Sequence, residues 1–179
     1  MRIFLWLAAS IFLGVIIHLV VILSMPALAP NTTWSRIARL DALEKMLVLN
    51  DIEPLKPNPL QLDPELIYAV CRLSLSNGPG VIRGELAGDF WSVGVFDASG
   101  RAVYGTTNRS ANGQKLQLGI FNQAQTRLLA QQKLDISEGL LVVESKLDDI
   151  FIVLRMAPAF AQLRPRYKEQ LAKISCANA

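Results

Sequence analysis

The sequence predicts a mainly β protein with peripheral helices, in which an N-terminal transmembrane helix precedes a small antiparallel β-sandwich or partial barrel. Three observations support this: an uncharged apolar stretch at residues 3–23, period-two alternation after residue 65, and turn-forming clusters between the alternating segments. A chain of 179 residues suggests one domain plus an anchor. We expect an anchor at 1–27, a helix and Pro-rich linker at 28–64, and a β-rich domain at 65–179.

The first element is the N-terminal apolar stretch. Residues 3–23 carry no formal charge, and as an α-helix rising about 1.5 Å per residue they would span roughly 30 Å, the thickness of a bilayer core. The alternative is a cleaved signal peptide, whose apolar region is usually shorter. Ala27-Leu28-Ala29 resembles a cleavage motif, but Pro30 after the cut fits an extended protease complex badly. Because Arg2 favours a cytoplasmic N-terminus, we expect a single-pass inner-membrane protein with a periplasmic C-terminal domain.

One stripe of the predicted anchor carries small and polar residues. Ser10, Gly14 and His18 recur every four residues and therefore share one face of a helix. Small residues at this spacing permit close approach of helices, and a histidine in hydrocarbon needs a partner. The stripe predicts contact with another membrane helix, in a homodimer or a separate protein. The alternative is a coincidental spacing with a neutral His18.

Between the anchor and the β domain, the sequence predicts a helix and a stiff linker. Asn31, Thr32 and Thr33 are suitable caps for a helix over residues 33–47, which we expect to cover the β domain. Four of the nine prolines fall within residues 54–64. This predicts an extended linker over residues 51–64 and excludes a central strand there.

The remaining chain shows the alternation of β-strands. In the first segment, Ala69, Cys71, Leu73 and Leu75 share one face. The predicted strands are residues 68–75, 81–86, 90–96, 101–106, 115–121, 139–145 and 150–156. The last two are almost wholly apolar, so we expect both at the centre of a sheet, buried on both sides.

Two helices are predicted within this β-rich region. Residues 122–132 read as a short helix capped by Asn122. Pro165 opens a last helix to about residue 175. Leu171 and Ile174 lie on its apolar stripe.

Two cysteines offer a covalent link. Cys71 lies on the inward face of the first predicted strand, and Cys176 lies near the C-terminus. In an oxidising periplasm they could pair, closing a loop worth up to about 4–5 kcal/mol in the chain-entropy model. The alternative is two separate thiols, because Cys176 falls off the apolar stripe of a regular last helix. We expect the disulfide, since a free exposed thiol is unusual in that compartment.

The composition argues against several function classes. There are 18 Lys and Arg against 15 Asp and Glu, and no dense basic run argues for nucleic-acid binding. The only histidine is His18, so the β domain lacks a His base, a Ser-His or Cys-His pair and a His metal ligand. There is no Gly-rich phosphate loop. We therefore predict no catalytic, metal-binding or cofactor-binding residue.

Charged residues in the β-rich region leave two minor possibilities. Carboxylate chemistry would draw on four acids, each of which fits a turn or a strand connection better: Asp89, Asp97, Asp148 and Asp149. Arg72 and Arg155 lie within predicted strands and could hold an anionic ligand on a concave face. A solvated sheet face or an Arg–Asp pair is the plainer explanation.

Four sequence segments carry a family resemblance. They are YAVCRLSLSNGP at 68–79, DFWSV at 89–93, FDASG at 96–100 and IVLR at 152–155. With these motifs, residues 63–176 resemble the bacterial domain-of-unknown-function family numbered 1254. The resemblance implies a β-sandwich-like domain found in bacterial envelope proteins, with no established activity and no catalytic residues.

The same resemblance bears on partners. Longer members of the family join this domain to a second one, of the type numbered 1214. This chain stops short of such a domain, so we expect a separate partner membrane protein that carries it. The short anchored architecture departs from the two-domain members, whose function does not transfer.

Together these features predict a membrane-anchored envelope domain that binds a partner protein and is not an enzyme. The first alternative is a small-molecule or lipid-binding module in the periplasm, and the second is a hydrolase or lyase with carboxylate chemistry. An apolar cavity would favour the module, and a filled core with an exposed apolar patch would favour partner binding. Two acids converging in a cleft would favour the enzyme.

Overall fold

The N-terminal part of the protein is one long helix. The structure, a computed structural model, describes residues 1–28, 32–86, 90–109, 114–132 and 139–179. The chain divides into two compact units, Met1–Thr32 and Thr33–Ala179. The first unit contains α1, Arg2–Leu28. Its segment Arg2–Met25 has a mean hydropathy of 2.6 and is long and apolar enough to cross a membrane.

The second unit is a β-sandwich-like domain with peripheral helices, which confirms the predicted fold class. Its helices are α2 (Thr33–Ala38), α3 (Gln123–Gln132) and α4 (Arg164–Ala172). Its strands are β1 (Leu47–Val48), β2 (Ile67–Ser74), β3 (Gly80–Glu85), β4 (Phe90–Asp97), β5 (Ala102–Thr107), β6 (Lys115–Asn122), β7 (Leu141–Ser145), β8 (Asp149–Ala157) and β9 (Ser175–Asn178). One sheet has the order β1-β2-β8-β4-β5, and the other has the order β7-β6-β3-β9.

The main core lies between the inner faces of the two sheets. Because side chains alternate along a strand, β2 places Ala69, Cys71 and Leu73 in this core, while β8 adds Ile152 and Leu154. All five are at most 1% exposed. Each large aliphatic side chain buried in this way contributes roughly 1.5–3 kcal/mol relative to an exposed one.

The two apolar late strands have different positions. As predicted, β8 is central: it pairs antiparallel with β2 and β4 and is buried on both faces. The same prediction is wrong for β7, which is an edge strand paired in parallel with β6. Val142 is 42% exposed there, since only one face of this strand meets the core. The second sheet is therefore mixed and not purely antiparallel.

The predicted helix over residues 33–47 is much shorter in the structure. It ends at Ala38, after which the chain bonds to the edge of β2. The amide of Arg72 donates to the carbonyl of Ala42 at 2.7 Å, and the amide of Glu44 donates to the carbonyl of Arg72 at 2.9 Å. These bonds to β2 replace the helical bonds that the sequence favours.

The C-terminal segment also differs from its prediction. The last helix begins next to Pro165, as expected, but ends at Ala172 and not near residue 175. The chain then forms β9, which pairs antiparallel with β3 and places Cys176 opposite Ile82. The predicted cap of α3 is confirmed, because Asn122 and Gln125 exchange side-chain to backbone hydrogen bonds of 2.9 Å.

Candidate functional site

The disulfide joins the two sheets through the main core. Cys71 lies on the inner face of β2 and Cys176 on β9, and their sulfur atoms are bonded, with Cα atoms 6.6 Å apart. Both residues are buried. A regular last helix that reached Cys176 would turn this side chain off the apolar stripe and away from Cys71. Because α4 ends earlier, period-two geometry turns this side chain inward.

A second apolar cluster lies on the outer face of the five-stranded sheet. Tyr68 and Val70 on β2, with Phe151 and Val153 on β8, point away from the main core and are still at most 9% exposed. They are buried by the covering segment, which we define as residues 33–66. Its apolar side chains in this cluster are Trp34, Ile37, Leu40, Ala42, Leu47, Leu49, Leu60, Leu62 and Leu66.

The covering segment leaves an open groove of about 240 Å³ on this sheet face. We call it the outer groove. Phe96 and Phe151 form its aromatic floor, with ring centroids 5.1 Å apart and planes 13° from parallel. Its other lining residues are Thr33, Ile37, Leu49, Leu60, Leu62, Tyr68, Val70, Gly100, Val153 and Arg155. The groove is therefore mainly apolar, with one cationic side chain.

Arg72 and Arg155 lie on this same outer face but do not meet. In the register of β2 and β8, Arg155 is opposite Tyr68 and Arg72 is opposite Phe151. The two positions are four residues apart along the strands, which is about 13 Å. The pair therefore does not form the single anion site considered from the sequence.

The two arginines also differ in their partners. Arg72 donates from Nη1 to the carbonyl of Ala38 at 3.2 Å, and its guanidinium lies 5.6 Å from the ring centre of Trp34. It therefore helps to hold the covering segment on the sheet. Arg155 is exposed and has no ion pair among the described residues. Its charge is available to a ligand.

The covering segment is also fixed to α4 by charge. The Asp51 carboxylate accepts hydrogen bonds of 2.6 Å from both Arg164 and Lys168. The Lys168 bond, followed by the Arg164 bond, lowers the pKa of Asp51 below its ordinary value of 3.8. Arg164 additionally donates to the carbonyls of Glu65 and Leu66, each at 3.2 Å.

The candidate acids belong to turns. Asp97 is buried at the end of β4 and accepts hydrogen bonds from the amides of Ser99 and Arg101. Burial alone would raise the pKa of Asp97, but the bonds from Ser99 and Arg101 outweigh it and lower that pKa. Asp148 accepts from the Asn122 amide at 2.9 Å. Asp149 is exposed at the start of β8.

Asp89, the fourth candidate acid, lies outside the described residues. Within the part of the chain that the structure describes, no group of three or more His, Cys, Asp or Glu side chains is arranged to hold a metal ion.

The predicted stripe of α1 lies on the helix surface. Ser10, Gly14 and His18 are all exposed. The hydroxyl of Ser10 donates to the carbonyl of Leu7 in the same helix at 2.9 Å. A Cβ added at Gly14 would meet nothing within 4 Å.

The periodicity of the sequence does not predict the walls of the outer groove. Leu49, Leu60 and Leu62 lie in or beside the region interpreted as a linker. Their signal was present, because large apolar residues recur among the prolines there and Tyr68 and Val70 make the second face of β2 apolar as well.

The comparisons with known proteins bear on the fold alone. No family model and no curated protein matches the chain. The crystal structure of the VPA0106 protein from Vibrio parahaemolyticus is similar with a TM-score of 0.53 and 8% identity, over 65% of this chain and 28% of that one. A putative uncharacterized protein from Burkholderia cenocepacia gives a TM-score of 0.37 and 9% identity, over 56% of this chain and 27% of that one. The chain thus spans little more than a quarter of the length of these proteins, and the first of them shares its β-rich fold.

Proposed function

We propose that the chain is a single-pass inner-membrane protein whose β-sandwich lies in the periplasm and acts by binding another molecule. The observation that carries the binding function is the outer groove. The main core is filled by side chains from both sheets, whereas the outer sheet face retains an open apolar groove beside the unpaired charge of Arg155. A groove of this kind suits a small amphipathic ligand.

The proposed location is supported by two features of different origin. Residues 3–23 of α1 carry no charge, and Arg2 at its start favours retention of the N-terminus in the cytoplasm. The buried disulfide between Cys71 and Cys176 suits an oxidising compartment, where such bonds persist. Both features favour a periplasmic β domain.

Binding is favoured over catalysis by the roles of the polar groups. Asp97 and Asp148, two of the acids available for carboxylate chemistry, bond to turn and loop groups of the domain itself. The only histidine of the chain is His18, in α1. Neither feature supplies the outer groove with an acid or a base.

A partner protein is the second candidate, and one observation favours it. β5 has six residues and pairs only with β4 in the described sheet. Its other edge can accept an extended strand from another chain. We propose that this strand would come from a partner membrane protein that carries the second domain implied by the family resemblance.

Topology is tested by fusing alkaline phosphatase after Ala179 in one strain and green fluorescent protein in another. We expect an active phosphatase and no fluorescence, with intact-mass analysis showing that residues 2–28 remain attached. The matched control lacks residues 2–28 and should reverse the two signals. A fluorescent cytosolic fusion of the full chain would refute the location.

Partner binding is tested with a photoreactive amino acid in native membranes. It is placed at Ala102, an exposed position on β5, and at Ser175, an exposed position on β9 at the far edge of the other sheet. A protein crosslinked from Ala102 but not from Ser175 would support the second candidate. Equal crosslinking at both positions, or none at Ala102, would contradict it.

A further inference from the structure

We propose that the outer groove binds a fatty acid from the membrane, with its acyl chain along the sheet and its carboxylate on Arg155. This inference rests on the proposed binding function and names its ligand class.

The lining of the groove suits an acyl chain. Ile37, Leu49 and Val153 supply aliphatic walls, and the stacked rings of Phe96 and Phe151 supply the floor. The volume of about 240 Å³ lies just below the range of roughly 300–1,000 Å³ that is usual for drug-sized ligands. It therefore favours a slender chain over a bulky ring system.

The charges give the ligand a direction. Arg155 lies at one end of the groove, where it is opposite Tyr68 on β2 and Ser92 on β4. Phe151 lines the groove about 13 Å further along β8. Arg72, which is opposite Phe151, does not line the groove and donates from Nη1 to the Ala38 carbonyl. The anionic head consequently belongs at Arg155, whose planar guanidinium matches a carboxylate with two parallel hydrogen bonds.

The connection to α1 gives the source of the ligand. Thr33 lines the outer groove and lies only five positions after Leu28, the last residue of α1. A chain of that length spans at most about 17 Å. In the proposed topology α1 lies in a bilayer, and single-chain amphiphiles dissolved in that bilayer are a source of ligand for a groove that follows α1 so closely in sequence.

The test uses the full chain in phosphatidylcholine nanodiscs with dodecanoic acid that carries a photoreactive diazirine on its tail. Crosslinked peptides are mapped by mass spectrometry, and labelling of α1 serves as the internal reference for probe dissolved in the bilayer. We expect labelled residues in the outer groove, at Leu49 or Phe96. Arg155→Gln should reduce that labelling about tenfold at limiting probe, because a charge-assisted contact is lost.

Two controls isolate the charge. Arg83→Gln changes another exposed strand arginine, on the other sheet, and should label like the unchanged protein. The methyl ester of the same probe should label the unchanged protein and Arg155→Gln equally. Val153→Phe should abolish groove labelling by filling the space. Because Arg155 is exposed, Arg155→Gln should leave the fold intact. This variant therefore tests the role of Arg155 in binding even if Val153→Phe alters folding.

Two results would overturn the proposal. They are labelling confined to α1 and groove labelling that Arg155→Gln leaves unchanged. If either of these occurs while the phosphatase fusion is active, the ligand class is refuted and the proposed location stands. A cytosolic fusion would instead refute the location on which the inference rests.

Discussion

Reduction of the disulfide between Cys71 and Cys176 should remove a large part of the stability of the β domain. The bond closes a loop with a sequence separation of 105, for which the chain-entropy model gives about 4.7 kcal/mol. The free energy of unfolding of a single domain is roughly 5–15 kcal/mol. Because the bond joins β2 to β9 across both sheets, its loss frees nearly the whole domain sequence in the unfolded state. The reduced domain should therefore be only marginally stable.

The assay is urea unfolding of the full chain in micelles, with and without reductant. Trp6→Phe removes the fluorescence signal of α1, so that Trp34 and Trp91, both in the second unit, report on the β domain. We expect the extrapolated free energy of unfolding to fall by about 4–5 kcal/mol on reduction.

A matched variant separates the covalent bond from packing. Cys71→Ala with Cys176→Ala removes the link and the two buried sulfur atoms, and it should lie within about 2 kcal/mol of the reduced protein. A fall of less than about 1 kcal/mol on reduction, with the thiols shown to be free, would refute the reasoning that loop closure dominates.

Three further predictions concern contacts at the ends of the fold. Asp51→Asn should lower the free energy of unfolding by about 1 kcal/mol in urea titrations, since water screens its half-exposed pairs with Arg164 and Lys168; an unchanged midpoint would contradict it. Because the pKa of Asp51 is lowered on folding, the Asp51 carboxylate should contribute to the free energy of unfolding above pH 3.8, and this contribution should be lost as the pH falls through the lowered pKa. In Asp51→Asn, the pH dependence of the free energy of unfolding should lack this component. Gly78→Ala should cost about 2 kcal/mol or more in thermal unfolding, because Gly78 has a φ of +141° and a Cβ there would lie 2.6 Å from the Ala179 carbonyl oxygen; an equal melting temperature would contradict it.

The first and last residues of a strand can be predicted from the sequence where one face of the strand is apolar and a turn follows it. β2 and β4 begin and end within one residue or two of the predicted ranges, because alternation and the turns after them are local signals. The position of β7 was not predictable in this way. Its apolar residues satisfy strand propensity equally well at an edge, and only the parallel pairing with β6 decides its place.

Two other errors arose from contacts distant in sequence. α2 ends at Ala38 because the edge of β2, some thirty residues later, offers backbone partners to Ala42 and Glu44. No strand is predicted at β9, beyond the expected end of the last helix near residue 175, because its pairing with β3 joins residues almost a hundred positions apart. In both places tertiary hydrogen bonds outweigh a local helical preference.

The candidate site was less predictable than the fold. Arg155 was singled out from the sequence, but its pairing with Arg72 was inferred without the covering segment between them. Within that segment, the prolines at residues 54–64 exclude a helix and a central strand, so the apolar residues there have no regular period. The apolar character of Leu60 and Leu62 indicates burial, but no periodicity indicates which sheet face they meet.

The same irregularity explains why a groove exists on this face at all. Strands that pack against strands interdigitate at regular spacings and fill the main core. The covering segment contains only the short helix α2, the two-residue strand β1 and irregular chain, so its packing leaves space above Phe96 and Phe151. Beyond Phe96 the outer face of β4 and β5 carries small residues such as Gly94 and Gly105 and is open. A ligand at Arg155 would lie on the face of this sheet, whereas a partner strand would pair at its β5 edge, so the two proposed functions are compatible.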